Sequence, residues 1–442
     1  MRVVIVGAGT VGSYLAERLS NLGQDVVVVE SEDERAVDLQ SEIDCLVVNG
    51  NGTRPVVLAE AGGERADLLI AVTANDAVNI LACHAARQVG IATRIARIHD
   101  RNLYDQARDM GVDVVIDPDE ATARQLLLLM RERGVSEVIN YADGLLELVG
   151  GFISPQAPIA GMTLAELRTR ISGWTWIVVA VIRNGVAEIA RGATTILPGD
   201  HVVIMAETDT TDEAFRWLGF GHRAARKAIV LGTTRLARFT AAMLADAGIA
   251  TTVIDADRER VRKIADQLPK VIALCADPVD PKVLMSEGID RTDAILGLTG
   301  WDEINTLGCL IGKALGADAA IARVNEFELA RILPGVGIDG AVSPRLTAAR
   351  DILGHVRGEH IQSVVTFSDS EVEAVELVVG HEGSAAGRTL REMGLSRDVI
   401  VGAVIRGNSA FVPIGDTEIQ AGDRLIAIAQ PQAMSELTEL TG

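Results

Sequence analysis

Aromatic side chains are scarce in this sequence of 442 residues and make up only 3% of it. The hydrophobic content is nevertheless 48%, so Val, Ile, Leu and Ala supply the bulk of any core. This composition is typical of buried parallel strands that helices cover on both faces. At this length the chain is expected to form more than one domain.

Positive charge and paired cysteines are also lacking. Lys and Arg number 41 against 61 Asp and Glu, which gives a formal net charge of −20. An excess of that sign repels a nucleic-acid backbone, so we expect no nucleic-acid partner. The four cysteines show no C-x-x-C spacing, and we interpret them as reduced core residues of a cytoplasmic protein.

Long apolar runs and catalytic constellations are missing as well. The longest apolar run, 176–182, is far too short to span a bilayer, and because the sequence opens on a core strand we expect no signal peptide. Any membrane role is therefore expected to be peripheral. Because none of the 7 histidines falls in a metal-ligand spacing and no nucleophile elbow or Walker loop is present, we predict no catalytic residue and no metal site.

The start of the chain does contain a nucleotide-binding fingerprint. An apolar strand at 3–6 leads into a G-x-G-x-x-G turn at 7–12, then a helical pattern and a second strand that ends at Glu30. In such a turn the first glycine allows the tight bend, the second lets a pyrophosphate approach the backbone, and the third allows close helix packing. The residues predicted to bind the pyrophosphate are Gly7, Ala8, Gly9, Thr10, Val11 and Gly12.

Glu30 is the predicted ribose contact. It follows the last glycine of the turn by 18 residues, where a carboxylate can accept both ribose hydroxyls and would repel a 2′-phosphate. This favours NAD(H) over NADP(H). The alternative is that Glu30 is an ordinary acid at the end of a strand.

The chain is two copies of one unit. Gly232 follows Gly7 by 225 residues, and Asp255 follows Glu30 by the same distance. The segment "TANDAVN" (73–79) matches "TGWDEIN" (299–305), and "AVIR" recurs at 180–183 and 403–406. Such an order, kept over half the chain, indicates an internal duplication.

The second glycine turn, "AIVLGTTRLA" (228–237), is degraded. It keeps Gly232 but has Thr234 and Ala237 where the first turn has its second and third glycines. Because a Cβ at 234 crowds the route of a pyrophosphate, we expect the fold to persist there and nucleotide affinity to fall. Gly232 and Asp255 remain weaker binding candidates, since they could still hold a ligand in altered geometry.

Alternating strand and helix patterns in each copy predict the fold. The expected class is α/β, with two doubly wound parallel-sheet (Rossmann-like) domains, each followed by a small α+β module. The predicted divisions are 1–138 for the first nucleotide-binding domain, 140–207 for its module, 208–226 for a linker, 227–355 for the second domain and 361–440 for its module.

This organisation resembles the tandem RCK family, whose domains regulate the conductance of potassium, and within it the TrkA-type subunits of Trk potassium uptake systems. The resemblance covers essentially the whole chain. It is carried by the fingerprint with Glu30, "AVTANDAVNILA" (71–82), "RIARI" (94–98), "SPRLTAARDILGHVR" (343–357) and "AVIRGN…AGD" (403–423).

The resemblance implies a regulatory subunit that is not an enzyme. Such proteins bind NAD(H) and, in some cases, ATP or ADP. They assemble as homo-oligomeric rings at the inner face of the cell membrane, against a TrkH-like potassium-conducting subunit. We therefore expect nucleotide binding to gate the membrane subunit through a conformational change.

The resemblance also implies roles for single residues. Thr73 and Ala74, at the end of the fourth strand, and Arg97, near the phosphates, would belong to the nucleotide site. Asn51 stands where many members have an acid after the third strand. Two other interpretations stay open, because Thr73 and its polar neighbours Asn75 and Asp76 could simply cap the next helix, and Arg97 could form a surface ion pair.

The alternative function is an NAD-dependent dehydrogenase. Hydride transfer needs a substrate cavity and a positioned acid or base beside the nicotinamide. After the first nucleotide domain the chain offers only a small module, in which His201 is the single histidine. The residues therefore favour the regulatory interpretation.

Overall fold

The chain folds into two compact units, residues 1–121 with 344–359 and residues 122–343 with 360–442. This division differs from the predicted domains. The helix that follows the sixth strand of each parallel sheet packs in the unit that contains the other parallel sheet. The structure, a computed structural model, describes residues 1–21, 23–43, 45–133, 135–171, 173, 175–183, 185–222, 225–325, 329, 332–353, 355, 361–366, 372–381, 383–434 and 436–437.

A parallel sheet forms the centre of the first unit. Its strands are β1 (Arg2–Val6), β2 (Asp25–Glu30), β3 (Leu46–Asn49), β4 (Leu68–Ala71), β5 (Thr93–Arg97) and β6 (Val114–Ile116). The strand order is β3-β2-β1-β4-β5-β6, so the connection changes direction between β1 and β4. In doubly wound sheets ligands bind at the carboxyl ends of the strands on either side of that point.

Helices cover both faces of this sheet. In the first one, Leu15, Ala16 and Leu19 are buried, which is the spacing of an apolar face packed on a sheet. The helices are α1 (Thr10–Asn21), α2 (Asp33–Glu42), α3 (Pro55–Glu60), α4 (Asp76–Val89) and α5 (Tyr104–Asp109).

The sixth helix leaves the first unit. This helix, α6 (Pro118–Arg131), starts after β6, but its buried residues Ala123, Leu126 and Met130 belong to a core that includes Val230 and Leu244 of the second unit. Their spacing gives one apolar helix face.

An antiparallel module follows α6. The strands are β7 (Glu132–Arg133), β8 (Val135–Tyr141), β9 (Leu146–Phe152), β10 (Trp176–Arg183), β11 (Val186–Ile189) and β12 (His201–Glu207), with helix α7 (Leu164–Arg168) before β10. Five of them form the sheet β11-β10-β12-β9-β8. The small helix at 164–168 begins with a capping box between Thr163 and Glu166.

The segment predicted as a linker, 208–226, is packed. It contains α8 (Thr211–Leu218) and strand β13 (Gly221–His222), which pairs with β7. Phe215 and Leu218 of α8 are buried, and Gly219 ends the helix in the left-handed conformation with φ +72°. The polar composition of the segment concealed this amphipathic helix.

The second parallel sheet repeats the first. Its strands are β14 (Lys227–Leu231), β15 (Ala250–Asp255), β16 (Ile272–Cys275), β17 (Ala294–Gly297), β18 (Ala319–Arg323) and β19 (Gly340–Val342), in the order β16-β15-β14-β17-β18-β19. Its helices are α9 (Arg235–Asp246), α10 (Arg258–Gln267), α11 (Pro281–Ser286) and α12 (Asp302–Ala314).

The helix after the second sheet belongs to the first unit. This helix, α13 (Pro344–Leu353), follows β19 after Ser343 and packs against α1 and β6. Leu346, Ala349 and Ile352 on it are buried.

The chain ends with a second antiparallel module in the second unit. Its elements are β20 (Ile361–Thr366), β21 (Glu373–Val378), α14 (Leu390–Met393), β22 (Val399–Arg406), β23 (Ser409–Phe411) and β24 (Arg424–Ala429), with sheet order β20-β21-β24-β22-β23. The two modules share one core, in which Val179 and Met205 lie with Ala403 and Ile428.

Each module carries the same ion pair between a partly exposed arginine and a buried aspartate. Arg183 donates from Nε and Nη2 to the two carboxylate oxygens of Asp200 over 2.7 Å each. Arg406 does the same to Asp423 over 2.8 and 2.6 Å. Bidentate pairing to a buried carboxylate fixes the turn before the last long strand in both copies.

The cysteine prediction holds for two of the four. Cys83 and Cys309 are buried, and burial raises the pKa of both thiols to about 12. Cys45, however, is half-buried and Cys275 is exposed. Both lie at the third strand of a sheet, an edge position that leaves one side uncovered.

Candidate nucleotide-binding site

The first glycine turn is held by two glycines whose roles are steric. Gly7 has φ +106° and donates its N–H to Val29 O over 2.9 Å. A Cβ on Gly12 would lie 1.8 Å from Gly7 O. The predicted tasks of these two glycines, the tight bend and close helix packing, therefore fit the structure.

Gly9 differs from its neighbours, because a Cβ built there would meet no atom within 4 Å. This glycine is thus not needed for packing within the protein, and its surroundings are open. It directly precedes α1, whose first N–H groups have no acceptor within the helix. An open glycine backbone beside such donors fits a pyrophosphate, and NAD(H) or an adenine nucleotide would supply one.

The remaining residues of the turn take different positions. Ala8 is buried and gives its N–H to Glu30, and Val11 is buried in the first turn of α1. Thr10 is exposed at the start of the helix. The turn therefore presents Gly9 and Thr10 to a ligand, while Ala8 and Val11 anchor it.

Glu30 is buried at the end of β2 and holds the turn in place. Its Oε2 accepts the N–H of Ala8 over 2.6 Å, and its Oε1 accepts the N–H groups of Ser31 and Glu32 over 2.6 and 3.0 Å. Burial raises the pKa of this carboxyl, but these hydrogen bonds outweigh it and leave the pKa below its usual value. A carboxylate oxygen accepts two hydrogen bonds, so Oε2 keeps capacity for a ribose hydroxyl.

Thr73 takes part in a buried polar network rather than in a helix cap. Its N–H and hydroxyl donate to Asn79 Oδ1 over 2.9 and 2.7 Å, and its carbonyl accepts from Asn79 Nδ2 over 3.1 Å. Asn79 also donates to Arg97 O over 2.8 Å, which ties the end of β4 to the end of β5. The next residue, Ala74, is exposed at the sheet edge. This role of Asn79 was not predicted from the sequence, although the residue recurs in the second copy as Asn305.

The capping interpretation is confirmed for one residue of the segment. Asn75 is the N-cap of α4 and accepts the N–H of Val78 over 3.2 Å. The Asp76 carboxylate instead accepts the backbone N–H groups of His99 and Asp100 over 3.0 and 2.9 Å. Asn51 closes its own turn by accepting the N–H and hydroxyl of Thr53 over 3.0 and 2.8 Å.

Arg97 is half-buried and is not a surface ion-pair residue. Its Nη2 donates to Thr73 O over 2.9 Å, and its Nε is buried without a hydrogen-bond partner among the described residues. Burial lowers the pKa of Arg97, the nearby Asp76 raises it, and Arg345 lowers it again. The guanidinium is therefore a desolvated cation close to a second one.

That second cation was missed from the sequence. Arg345 lies at the start of α13, and its Nη1 donates to the hydroxyl of Thr10 over 3.1 Å. The repeat places Pro344 at the same point as Pro118, directly after a sixth strand, and so marks the carboxyl edge of a sheet. It could not show that this helix belongs to the first unit.

The second glycine turn is closed by its own side chains. Gly232 keeps φ +102°, but the hydroxyl of Thr233 donates to Asp255 Oδ2 over 2.8 Å. Thr234 donates to Leu298 O over 2.7 Å and accepts the N–H of Ala237 over 3.2 Å. Its side chain thus joins the start of α9 to the end of β17, the two edges between which a pyrophosphate would run.

The arginine of the second copy that corresponds to Arg97 also forms different hydrogen bonds. Arg323, the counterpart of Arg97, donates to Thr299 O and to Asn325 Oδ1, each over 2.8 Å. Asn325 stands where the first copy has His99. The second copy therefore keeps the scaffold, including the Asn305 counterpart of Asn79, and uses internally the groups that a ligand would contact.

Two features are absent from the residues that the structure describes. In that part of the chain no group of three or more His, Cys, Asp or Glu side chains is arranged to hold a metal ion. No helix within it has the length and apolar character needed to cross a membrane.

Comparison with known families accounts for most of the chain. The TrkA-N domain family matches residues 3–118 and again 228–344, and the TrkA-C domain family matches 152–219 and 374–442. A TrkA homolog of the Trk potassium uptake system from Archaeoglobus fulgidus is 33% identical over 100% of both chains. The chain belongs to the TrkA family. The TrkA of Azorhizobium caulinodans is 31% identical over 100% of this chain and 98% of its own.

Structural neighbours of this TrkA-family chain share its fold. The crystal structure of the GsuK RCK domain aligns with a TM-score of 0.60 and 20% identity, over 100% of this chain and 94% of that one. A GsuK channel bound to NAD aligns with a TM-score of 0.60 and 20% identity, over 100% of this chain and 78% of that one. The predicted fold class, two Rossmann-like domains each followed by a small module, is confirmed.

The TrkA-family relatives also decide between the two functional classes. Their names are those of potassium uptake proteins. Membership of this family therefore favours the potassium-uptake class over the dehydrogenase alternative.

Proposed function

We propose that this TrkA-family chain is a nucleotide-sensing subunit that binds NAD(H) at its first glycine turn and gates a TrkH-like potassium-conducting membrane subunit. The observation that carries the proposal is the open backbone at Gly9 between α1 and the ionised Glu30. An adenine dinucleotide offers a pyrophosphate to the open backbone at Gly9 and a ribose diol to the carboxylate of Glu30.

Two neighbours support the ligand class. GsuK, which shares the fold, is described in a structure bound to NAD and in another bound to ADP. ATP or ADP therefore stays a second ligand class for the same turn, since both nucleotides carry the ribose and the phosphates that these residues recognise. The Gly7–Gly12 turn with Glu30, Thr73, Ala74 and Arg97 is the proposed site, and the closed turn at Gly232 and Asp255 is not part of it.

The proposed partners follow from the family. Relatives named as parts of Trk systems imply a potassium-conducting membrane subunit, and we propose that this chain docks at its cytoplasmic side as a homo-oligomeric ring. A ligand shifts such an assembly only through a different affinity for its two states. The nucleotide itself is not consumed.

Binding is tested first on the full chain. Calorimetry with NADH, NAD⁺, ADP and ATP should show saturable binding of at least one of them, lost in Gly9→Thr and retained in Thr234→Ser. Sedimentation of the same sample tests the ring, because a chain that stays monomeric at every concentration contradicts it.

Gating is tested by potassium flux. Vesicles that contain the membrane subunit and this chain are loaded with a potassium indicator, and flux is measured with and without each nucleotide. A nucleotide-dependent change that disappears in Gly9→Thr supports the proposal. Equal flux under all conditions, with the chain shown to be bound to the vesicles, refutes it. A parallel assay for NADH oxidation detects turnover, which would contradict a purely regulatory role.

A further inference from the structure

Arg345 comes from the second half of the sequence but lies in the first unit. Only Ser343 separates β19, a strand of the second sheet, from α13, which packs on α1. At the start of α13 the half-buried Arg345 donates from Nη1 to the Thr10 hydroxyl over 3.1 Å. Thr10 is the residue with which α1 begins, directly after the open Gly9.

Arg345 brings a positive charge to the first glycine turn. It forms no ion pair with any residue that the structure describes, and neither does Arg97. The two guanidinium groups are close enough that Arg345 lowers the pKa of Arg97, while Asp76 and Asp119 act in the opposite direction from beyond ion-pair distance. Two cations that repel each other beside an open glycine turn are stabilised when an anion binds between them.

The second copy lacks this arrangement. In the duplicated sequence the counterpart of Arg345 is Asp119, an acid that lies in the first unit and raises the pKa of Arg97, so the repeat supplies no second arginine at this position. The counterpart of Arg97 donates to two oxygens of its own unit, as described above. The two cations therefore occur at the turn that is open and not at the one that is closed.

We propose that Arg345 binds the phosphate groups of the nucleotide at the first glycine turn, so that the second half of the chain supplies part of the first half's ligand site. This proposal rests on the proposed function. The recognised chemistry is a pyrophosphate, which either a dinucleotide or a nucleoside diphosphate presents. An arginine suits it because its planar fork can donate two hydrogen bonds to phosphate oxygens.

The contact has a consequence for signalling. A ligand held by Arg345 is held by α13, and α13 is joined to the second sheet through a single residue. Nucleotide binding then favours whichever state of the assembly keeps α13 docked on α1, in proportion to the affinity that Arg345 adds.

The test compares charge-matched variants of the full chain by calorimetry with NADH and with ADP. Arg345→Gln is expected to raise the Kd for both ligands by about tenfold or more, as for loss of a hydrogen-bonded charge. Arg345→Lys keeps the positive charge but loses the planar guanidinium, so its Kd should lie between that of the wild type and that of Arg345→Gln. Arg108→Gln removes an exposed arginine of the same unit and should leave both Kd values unchanged.

The salt dependence of the Kd separates a direct contact from a structural effect. Loss of a phosphate contact should make the Kd of Arg345→Gln less sensitive to salt than that of the wild type, which mere loosening of α13 would not do. A loss confined to ADP would assign Arg345 to the terminal phosphate and still support the proposal.

Failure of this inference differs from failure of the proposed function. If the wild type binds no nucleotide, the proposed function is wrong and Arg345 has no such role. If the wild type binds, Gly9→Thr does not, and Arg345→Gln binds as tightly and with the same salt dependence as the wild type, then only the role of Arg345 is overturned.

Discussion

Ala8 donates its backbone N–H to Glu30 Oε2 over 2.6 Å, so the residue predicted to bind ribose also fixes the glycine turn that faces the phosphates. One carboxylate thus joins the two parts of the proposed site before any ligand binds. Mutation of Glu30 is expected to affect both stability and affinity, and the two effects must be measured separately.

Stability should depend on pH through Glu30. Its hydrogen bonds lower the folded-state pKa below the ordinary 4.5, so the stabilising contribution is complete above that pH and is lost as the pH falls through the lowered value. Glu30→Gln should therefore reduce the free energy of unfolding at pH 7 by about 1–3 kcal/mol, the usual worth of hydrogen bonds to a charged group.

Urea unfolding of both proteins at pH 7 and at a series of acid values checks this. The difference in the free energy of unfolding between the wild type and Glu30→Gln should become smaller below pH 4.5. A gap that stays constant across the series would show that the charge of Glu30 does not stabilise the turn. Asp255→Asn, at the matching position of the second sheet, serves as the control for the same chemical change.

Gly9→Thr should abolish nucleotide binding without damage to the fold. Space around the added Cβ is open within the protein, so the thermal midpoint should change by no more than a few degrees. The same Cβ occupies the route of the pyrophosphate, and NADH binding should fall below detection in calorimetry. By contrast, Gly7→Ala is strained at φ +106° and should lower the midpoint clearly. Normal affinity in Gly9→Thr would remove Gly9 from the site.

The chain should bind one nucleotide, not two. In the second turn the hydroxyl of Thr233 donates to Asp255 and that of Thr234 to Leu298 O, so both side chains are engaged within the protein and Thr234 occupies the route of a pyrophosphate. Calorimetric titration with NADH should therefore give a stoichiometry near one per chain, and Asp255→Asn should leave the Kd unchanged while Glu30→Gln raises it. A stoichiometry near two would show that the second turn opens on binding.

The paired asparagines should prove equally important for stability. Asn79 and Asn305 are each buried with four hydrogen bonds, to a threonine and to the carbonyl of an arginine on the neighbouring strand. Truncation to alanine leaves those backbone groups unsatisfied and should cost about 2–4 kcal/mol in either copy. Urea unfolding of the two single variants measures this. Asn75→Ala, which removes only an exposed cap, should cost about 1 kcal/mol.

Much of the fold could be predicted because its signals are local. The first strand was expected at 3–6 and is observed at Arg2–Val6, since a run of buried apolar residues before a glycine turn has few other uses. The signal for the module helix Leu164–Arg168 is equally local, because Thr163 and Glu166, three residues apart, close its first turn in a capping box.

The unpredicted features depend on contacts between distant parts of the chain. The hydrogen bond from Arg345 to Thr10 could not be predicted from the residues around Arg345, because the apolar face of α13 would cover either sheet equally well. Likewise Glu30 and Thr73 were assigned to a ligand from their positions, while the hydrogen bonds that they form within the protein became visible only in three dimensions.

The exchange of α6 and α13 bears on how the duplication could arise. A gene encoding one copy alone would produce a polypeptide in which the helix after the sixth strand has no sheet of its own to cover, because Ala123, Leu126 and Met130 are buried in the second unit. Two identical ancestral chains could bury that helix by exchanging it, as an obligate domain-swapped homodimer. Fusion of the two genes would then make the helix exchange intramolecular. One of the two nucleotide sites could afterwards lose its ligand while the fold persisted.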